Sequence, residues 1–160
     1  MKEQMKHEET IKESKTYVSK VSVSLVREEL SFERTTISCP EDVFNLGFLR
    51  KEFDLADREK FVVLHLNAKN AVISYEVVSI GTLNSSLVHP REVFKAAILS
   101  NAGSIILCHN HPSGDTDPSN DDLALTKRLV DAGKLLGIEV LDHVIFANSR
   151  FMSLKERNIL

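Results

Sequence analysis

The sequence predicts an α/β (α+β) fold in which a mixed β-sheet is flanked by about three helices. Three observations carry that prediction. Apolar, β-branched runs alternate along the chain with amphipathic runs of helical period. Two of the strand-like runs are separated only by Asn67-Ala-Lys-Asn70, a hairpin connection that a purely parallel, doubly wound sheet does not contain. Prolines and glycines stand where helices should start and stop, as at Pro40, Pro90 and Gly137.

Taken in order, residues 1 to 15 are charged and nearly devoid of apolar side chains, and are expected to form a flexible tail ahead of a single domain over residues 16 to 160. Lys20-Val-Ser-Val-Ser-Leu-Val26 alternates strictly and reads as a half-buried strand. Ser38-Cys39-Pro40-Glu41 opens a first helix whose apolar face runs from Val43 to Phe53. Phe61 to Leu66 and Ala71 to Val78 are the arms of the hairpin. A second helix starts at Pro90, runs through Leu99 and ends by Asn101-Ala-Gly103. Gly103 to His109 is an apolar strand, and the third helix spans about Asn120 to Leu136, with Leu123, Leu125, Leu129, Val130 and Leu136 inward and Gly137 as its C-cap. Ile138 to Phe146 is a further strand.

Composition narrows the function. Hydrophobic residues make up 42% and charged residues 27% of the 160, the balance of an ordinary globular domain with its own core. A net charge of −3 and a pI near 6.1 offer no general attraction to phosphate backbones, so a dedicated nucleic-acid binder is weakly supported. No apolar stretch approaches a membrane span, and the N-terminal residues lack a signal-peptide hydrophobic region. Cys39 and Cys108 are the two cysteines, a usage that suits a reduced chain and a cytoplasmic location.

The most informative segment is Leu107-Cys-His-Asn-His-Pro-Ser-Gly-Asp-Thr-Asp-Pro-Ser-Asn-Asp-Asp122. Extended backbone places His109 and His111 on one side, where two imidazoles can converge on one ion. Ser119 and Asp122 fall in the first turn of the third helix, which allows two readings: a capping box, or a capping serine beside a ligating carboxylate. Two nitrogens and one carboxylate oxygen leave a fourth position open, the difference between a catalytic zinc and a closed structural one. Cys108 alternates to the opposite face, and turn chemistry accounts for Asp115 and Asp117. His65 and His89 read as structural.

The spacing His-x-His, seven residues, Ser, two residues, Asp is that of the JAMM (MPN+) metalloprotease motif. Gly81-Thr-Leu-Asn84, Val88-His-Pro-Arg-Glu-Val93, His109-Asn-His-Pro-Ser-Gly114, Pro118-Ser119 and Leu141-Asp-His143 further resemble the RadC family, from about Thr36 onward. Residues 1 to 35 do not resemble the helix-hairpin-helix module that often precedes this domain, so the chain looks like the shorter form. The resemblance implies a cytidine-deaminase-like JAB/MPN architecture and a Zn2+ held by His109, His111 and Asp122.

It also implies an upstream glutamate as general base, for which Glu59, just before the Phe61 strand, is preferred over Glu76 on the returning arm. Ser119 is expected to stabilise the oxyanion, and His143 either stands behind the ligands or is a buried structural histidine. The leading expectation is a zinc-dependent hydrolase, of metallopeptidase or isopeptidase type, acting on a protein or peptide substrate. Two others stand beside it: an accessory protein linked to DNA repair, as the family name suggests, and a metal-binding interaction module without turnover.

Overall fold

The computed structural model describes residues 20–22, 24, 25, 35–81 and 88–160. Strands β1 (Lys60–Leu66), β2 (Val72–Ile80), β3 (Ser104–Asn110), β4 (Glu139–Ala147) and β5 (Arg150–Ser153) form one sheet in the order β2-β1-β3-β4-β5. Helices α1 (Pro40–Phe44), α2 (Gly47–Phe53), α3 (Pro90–Leu99) and α4 (Asn120–Leu136) complete the fold. β1 is antiparallel to β2 and β3, and β5 to β4, while β3 and β4 run parallel across the α4 crossover. The sheet is therefore mixed, as the hairpin required.

The two-residue period divides the central strands between two cores. Val62, Leu64, Leu66, Ile106, Cys108, Val144 and Phe146 pack with α1 and α2 residues such as Leu49 and Phe53. Phe61, Val63, Ile105 and Leu107 pack instead with Phe94 and Ala97 of α3 and Leu125 and Leu129 of α4. Each fully buried Leu, Ile or Phe contributes about 1.5–3 kcal/mol. Two such layers supply the apolar core of the domain. Among the described residues, no helix is long and apolar enough to cross a membrane.

Four expectations change. The first helix is broken: Asn45 N–H closes back on Glu41 O, Leu46 turns extended at φ −65°, ψ 112°, and Gly47 restarts the helix as α2. Asn and Gly are weak helix formers, and the break lets Leu46 enter the core. No strand is present at Lys20–Ser22 or Ser24–Leu25, where Val21 is 78% exposed; Val23, Val26 and the tail over residues 1 to 15 lie outside the described residues. On α4, Leu136 is 47% exposed, and the inward stripe ends on Gly133, where an added Cβ would lie 2.4 Å from Ile138 O. Finally, β5 has no counterpart among the sequence expectations. Asn148, in the left-handed region at φ 53°, turns β4 back into it.

Candidate metal centre

The site lies where β3, β4 and α4 meet. β3 is buried along its whole length, and His109, near its end, is paired with Phe61 on one side and Ile145 on the other. His111 leaves the strand but keeps the sheet's hydrogen bonding, its N–H donating to Phe146 O at 2.7 Å. The chain then turns through Gly114, at φ 84°, where Arg150 Nη2 donates to its carbonyl at 3.0 Å. Arg157 pairs with Asp117 across 3.4 Å, so the C-terminal segment holds the loop from outside.

Ser119 and Asp122 form the capping box, and the Asp122 carboxylate also faces the two histidines. Ser119 Oγ accepts from Asp122 N–H at 3.1 Å, and Ser119 N–H donates to Asp122 Oδ2 at 2.7 Å, a complete capping box. The same carboxylate lies 3.4 Å (Oδ1) from His109 Nε2 and 3.5 Å (Oδ2) from His111 Nε2, while the two Nε2 atoms are 2.8 Å apart. One ligand atom from each residue thus falls within 4.8 Å of the others. Ser119 Oγ also donates to Asp122 Oδ2 at 2.6 Å, fixing the carboxylate's rotation.

Burial alone would push the Asp122 carboxyl up, but the His111 hydrogen bond, the His109 charge and the Ser119 hydroxyl and N–H together hold it well below the usual carboxylate range. His111 is raised, chiefly by its hydrogen bond to Asp122, against burial, with further help from Asp115 O and the charges of Asp122 and Glu59. His109 is driven well below 6.5 by burial, then by His143, with Asp122 opposing. His143, fully buried, is lowered to about 4 by burial.

These residues fit a cation. His111 Nδ1 lies 2.7 Å from Asp115 O, which can only accept, so in the neutral ring Nδ1 carries the hydrogen and Nε2 the lone pair. That lone pair faces His109 Nε2 at 2.8 Å beside a carboxylate, an arrangement that needs positive charge between its members. Either a proton on His111 or a bound cation meets that need. Two imidazoles and a carboxylate are also the donor set of a three-ligand zinc site with a position left open.

Beside His111 opens a cleft of about 340 Å³, lined by Arg50, Phe53, Asn110, Pro112 and Phe146 among others. Glu59, half-buried just ahead of β1, is near enough to raise the proton affinity of His111. Glu76 lies elsewhere: it pairs with Val63 and is surrounded electrostatically by Lys95 and Glu92 of α3, with burial pushing its carboxyl up. Asp115 and Asp117 turn away, the carboxylate of Asp115 accepting from Asp117 N–H at 3.0 Å. Cys108 sits in the core on the opposite face, where burial raises its thiol well above the ordinary value. His89 caps α3 by accepting from Arg91 N–H.

Sequence reasoning missed Thr126. Its hydroxyl contacts both Asp122 O and His143 Nδ1 at 2.6 Å. The signal available was its place one turn after Asp122 on the buried stripe of α4.

Residues 37–159 match the sequence profile of the RadC-like JAB domain. A UPF0758 protein of Moorella thermoacetica is 49% identical over 160 residues, covering 99% of this chain and 69% of that protein. The UPF0758 proteins of Desulforamulus reducens and Caldanaerobacter subterraneus are 54% identical over 127 residues and 57% over 125, covering 79% and 78% of this chain but 55% and 53% of theirs. The chain thus spans about half to two thirds of the length of these relatives.

Proposed function

The chain belongs to the family of RadC-like JAB domains, and we propose that it is a zinc-dependent hydrolase of amide or isopeptide bonds. The observation that carries the reading is the convergence of His109 Nε2, His111 Nε2 and the Asp122 carboxylate on one point. In this reading those three residues hold the ion. A bound zinc would supply Lewis acidity, making water acidic enough to react near neutral pH and polarising a carbonyl.

The chain's own groups do the rest. Glu59 accepts a proton from the attacking water and passes it to the leaving nitrogen as the carbon–nitrogen bond breaks. Its charge is already felt at His111. The Ser119 hydroxyl donates to the oxygen on which negative charge develops, turning from Asp122 Oδ2 to do so. Asp122 stays oriented meanwhile, because Ser119 N–H continues to hold it.

The test is metal analysis of protein prepared without chelators, followed by a panel of peptide and isopeptide linkages. About one zinc per chain and turnover abolished by chelation are expected. Protein that takes up no metal, or zinc-loaded protein inert towards every linkage, would remove the proposal.

A further inference from the structure

We infer that Thr126, acting through His143, sets the tautomer of His109 and thereby presents a bare Nε2 to the metal. The inference follows from the direction of successive hydrogen bonds. The carbonyl of Asp122 lies 2.6 Å from Thr126 Oγ1 and can only accept, so the single hydroxyl hydrogen of Thr126 points to it. Thr126 Oγ1 is also 2.6 Å from His143 Nδ1. With its hydrogen already directed elsewhere, the hydroxyl can only accept from that ring, so Nδ1 of His143 carries the hydrogen. Nε2 of the neutral ring is then an acceptor.

His143 Nε2 lies 2.7 Å from His109 Nδ1, which must donate to it. The hydrogen of His109 is thus on Nδ1, and Nε2 is left with the lone pair directed at His111 and Asp122. No member of this relay is open to solvent: His109 and His143 are 0% exposed and Thr126 4%. Water cannot readily reverse a step. Phe61 packs against both rings, with centroids 6.2 Å from His109 and 5.6 Å from His143, and restrains their rotation.

The relay also closes on itself. Asp122 contributes its carboxylate to the ligand set and its backbone carbonyl to the orientation of Thr126, so one residue at the start of α4 anchors both ends. Thr126 is a positioning residue. It touches no ligand atom of the cluster, and its influence passes through two imidazole rings.

Only the consequence for metal affinity rests on His109 being a ligand; the tautomers can be read without metal. Long-range 15N–1H correlation spectra of the metal-free protein, at a pH where His143 is neutral, should show His143 and His109 protonated at Nδ1 and bare at Nε2. Thr126→Val keeps the shape of the side chain but removes the oxygen. In this variant His143 should shift towards the Nε2–H form, His109 should follow, and Zn2+ affinity in chelator competition should fall by about 10- to 100-fold. Thr126→Ser should restore both the tautomers and the affinity.

Circular dichroism and thermal melting of each variant show whether it is folded. Nε2–H at His109 in the native protein overturns the inference, as does a folded Thr126→Val protein with unchanged tautomers, whatever its affinity. Should Thr126→Val fail to fold, the native and Thr126→Ser spectra still decide the assignment. Native tautomers as described in a protein that binds no zinc would uphold the relay and sink the hydrolase reading.

Discussion

Two buried imidazoles on the same face of the sheet have opposite fates. His65 and His109 lie towards opposite ends of the β1–β3 ladder, paired respectively with Ile105 and Phe61, and each is almost fully buried. His65 Nδ1 meets Ser74 Oγ at 2.9 Å, and Ser74 Oγ continues to Ser100 Oγ at 3.1 Å, but His65 Nε2 has no partner. His109 has both nitrogens engaged, by His143 and by His111, with a carboxylate at 3.4 Å. Burial depresses both rings. Burial alone therefore does not mark a site; convergence of donors on a common point does.

The comparison breaks most visibly at the metal. His109→Ala and Asp122→Ala should each lower zinc affinity by more than about 100-fold, since in the proposed function each is a ligand rather than a supporting partner. His65→Leu should leave it unchanged. Equal loss from His65→Leu, in equilibrium dialysis with Zn2+, would erase the distinction between the two ends of the ladder.

The two glutamates sharpen it next. Glu59→Gln should retain zinc and reduce turnover by on the order of 10²-fold or more, because the amide keeps the shape but cannot accept the proton. Glu76→Gln, beside Lys95 on the α3 flank, should be nearly silent. Exchanged results would transfer the base to Glu76.

A third difference concerns acid. His65 is lowered from 6.5 to about 4 by burial, so between those values the unfolded chain binds more protons than the folded one. The stabilisation from keeping His65 neutral is complete above about pH 6.5 and is lost as pH falls through 4. Between pH 7 and pH 4 the native protein should lose about 3 kcal/mol more than His65→Leu, a difference in which the metal-site histidines cancel. Urea titrations across that range would show it. Parallel curves would mean that His65 ionises without cost.

The smallest effect on the fold should come from removing metal. The two apolar layers do not depend on it, so chelation should leave the far-UV circular dichroism nearly unchanged while abolishing hydrolysis. Collapse of the signal would recast the centre as structural.

What is legible in the sequence follows from how local each feature is. β1, β3 and β4 are continuous apolar runs, and α3 and α4 carry their own punctuation in Pro90 and Gly137, so tertiary context has little to override. β5 is only 4 residues long and begins with an arginine, and the described residues Lys20–Ser22 and Ser24–Leu25 show the reverse case, alternation without a strand. In the site, His109, His111 and Asp122 are close in sequence and their meeting is legible from spacing. The preference for Glu59 over Glu76 rests only on family likeness, because which carboxylate approaches His111 depends on how β1 and β2 pair. The hydrogen-bond directions around His143 depend on the register of β4 against α4, which periodicity does not encode.

The clasp that Arg150 makes on the Gly114 carbonyl also sets a timetable. His109, His111 and Asp122 leave the ribosome early, but the groups that seat them come later: His143 behind His109, Phe146 O for the His111 N–H, and Arg150 for the loop. During vectorial synthesis the cluster is therefore assembled only after translation has passed the β4–β5 hairpin. A nascent chain arrested before Arg150 would carry all three residues of the cluster and lack the seat that brings them together.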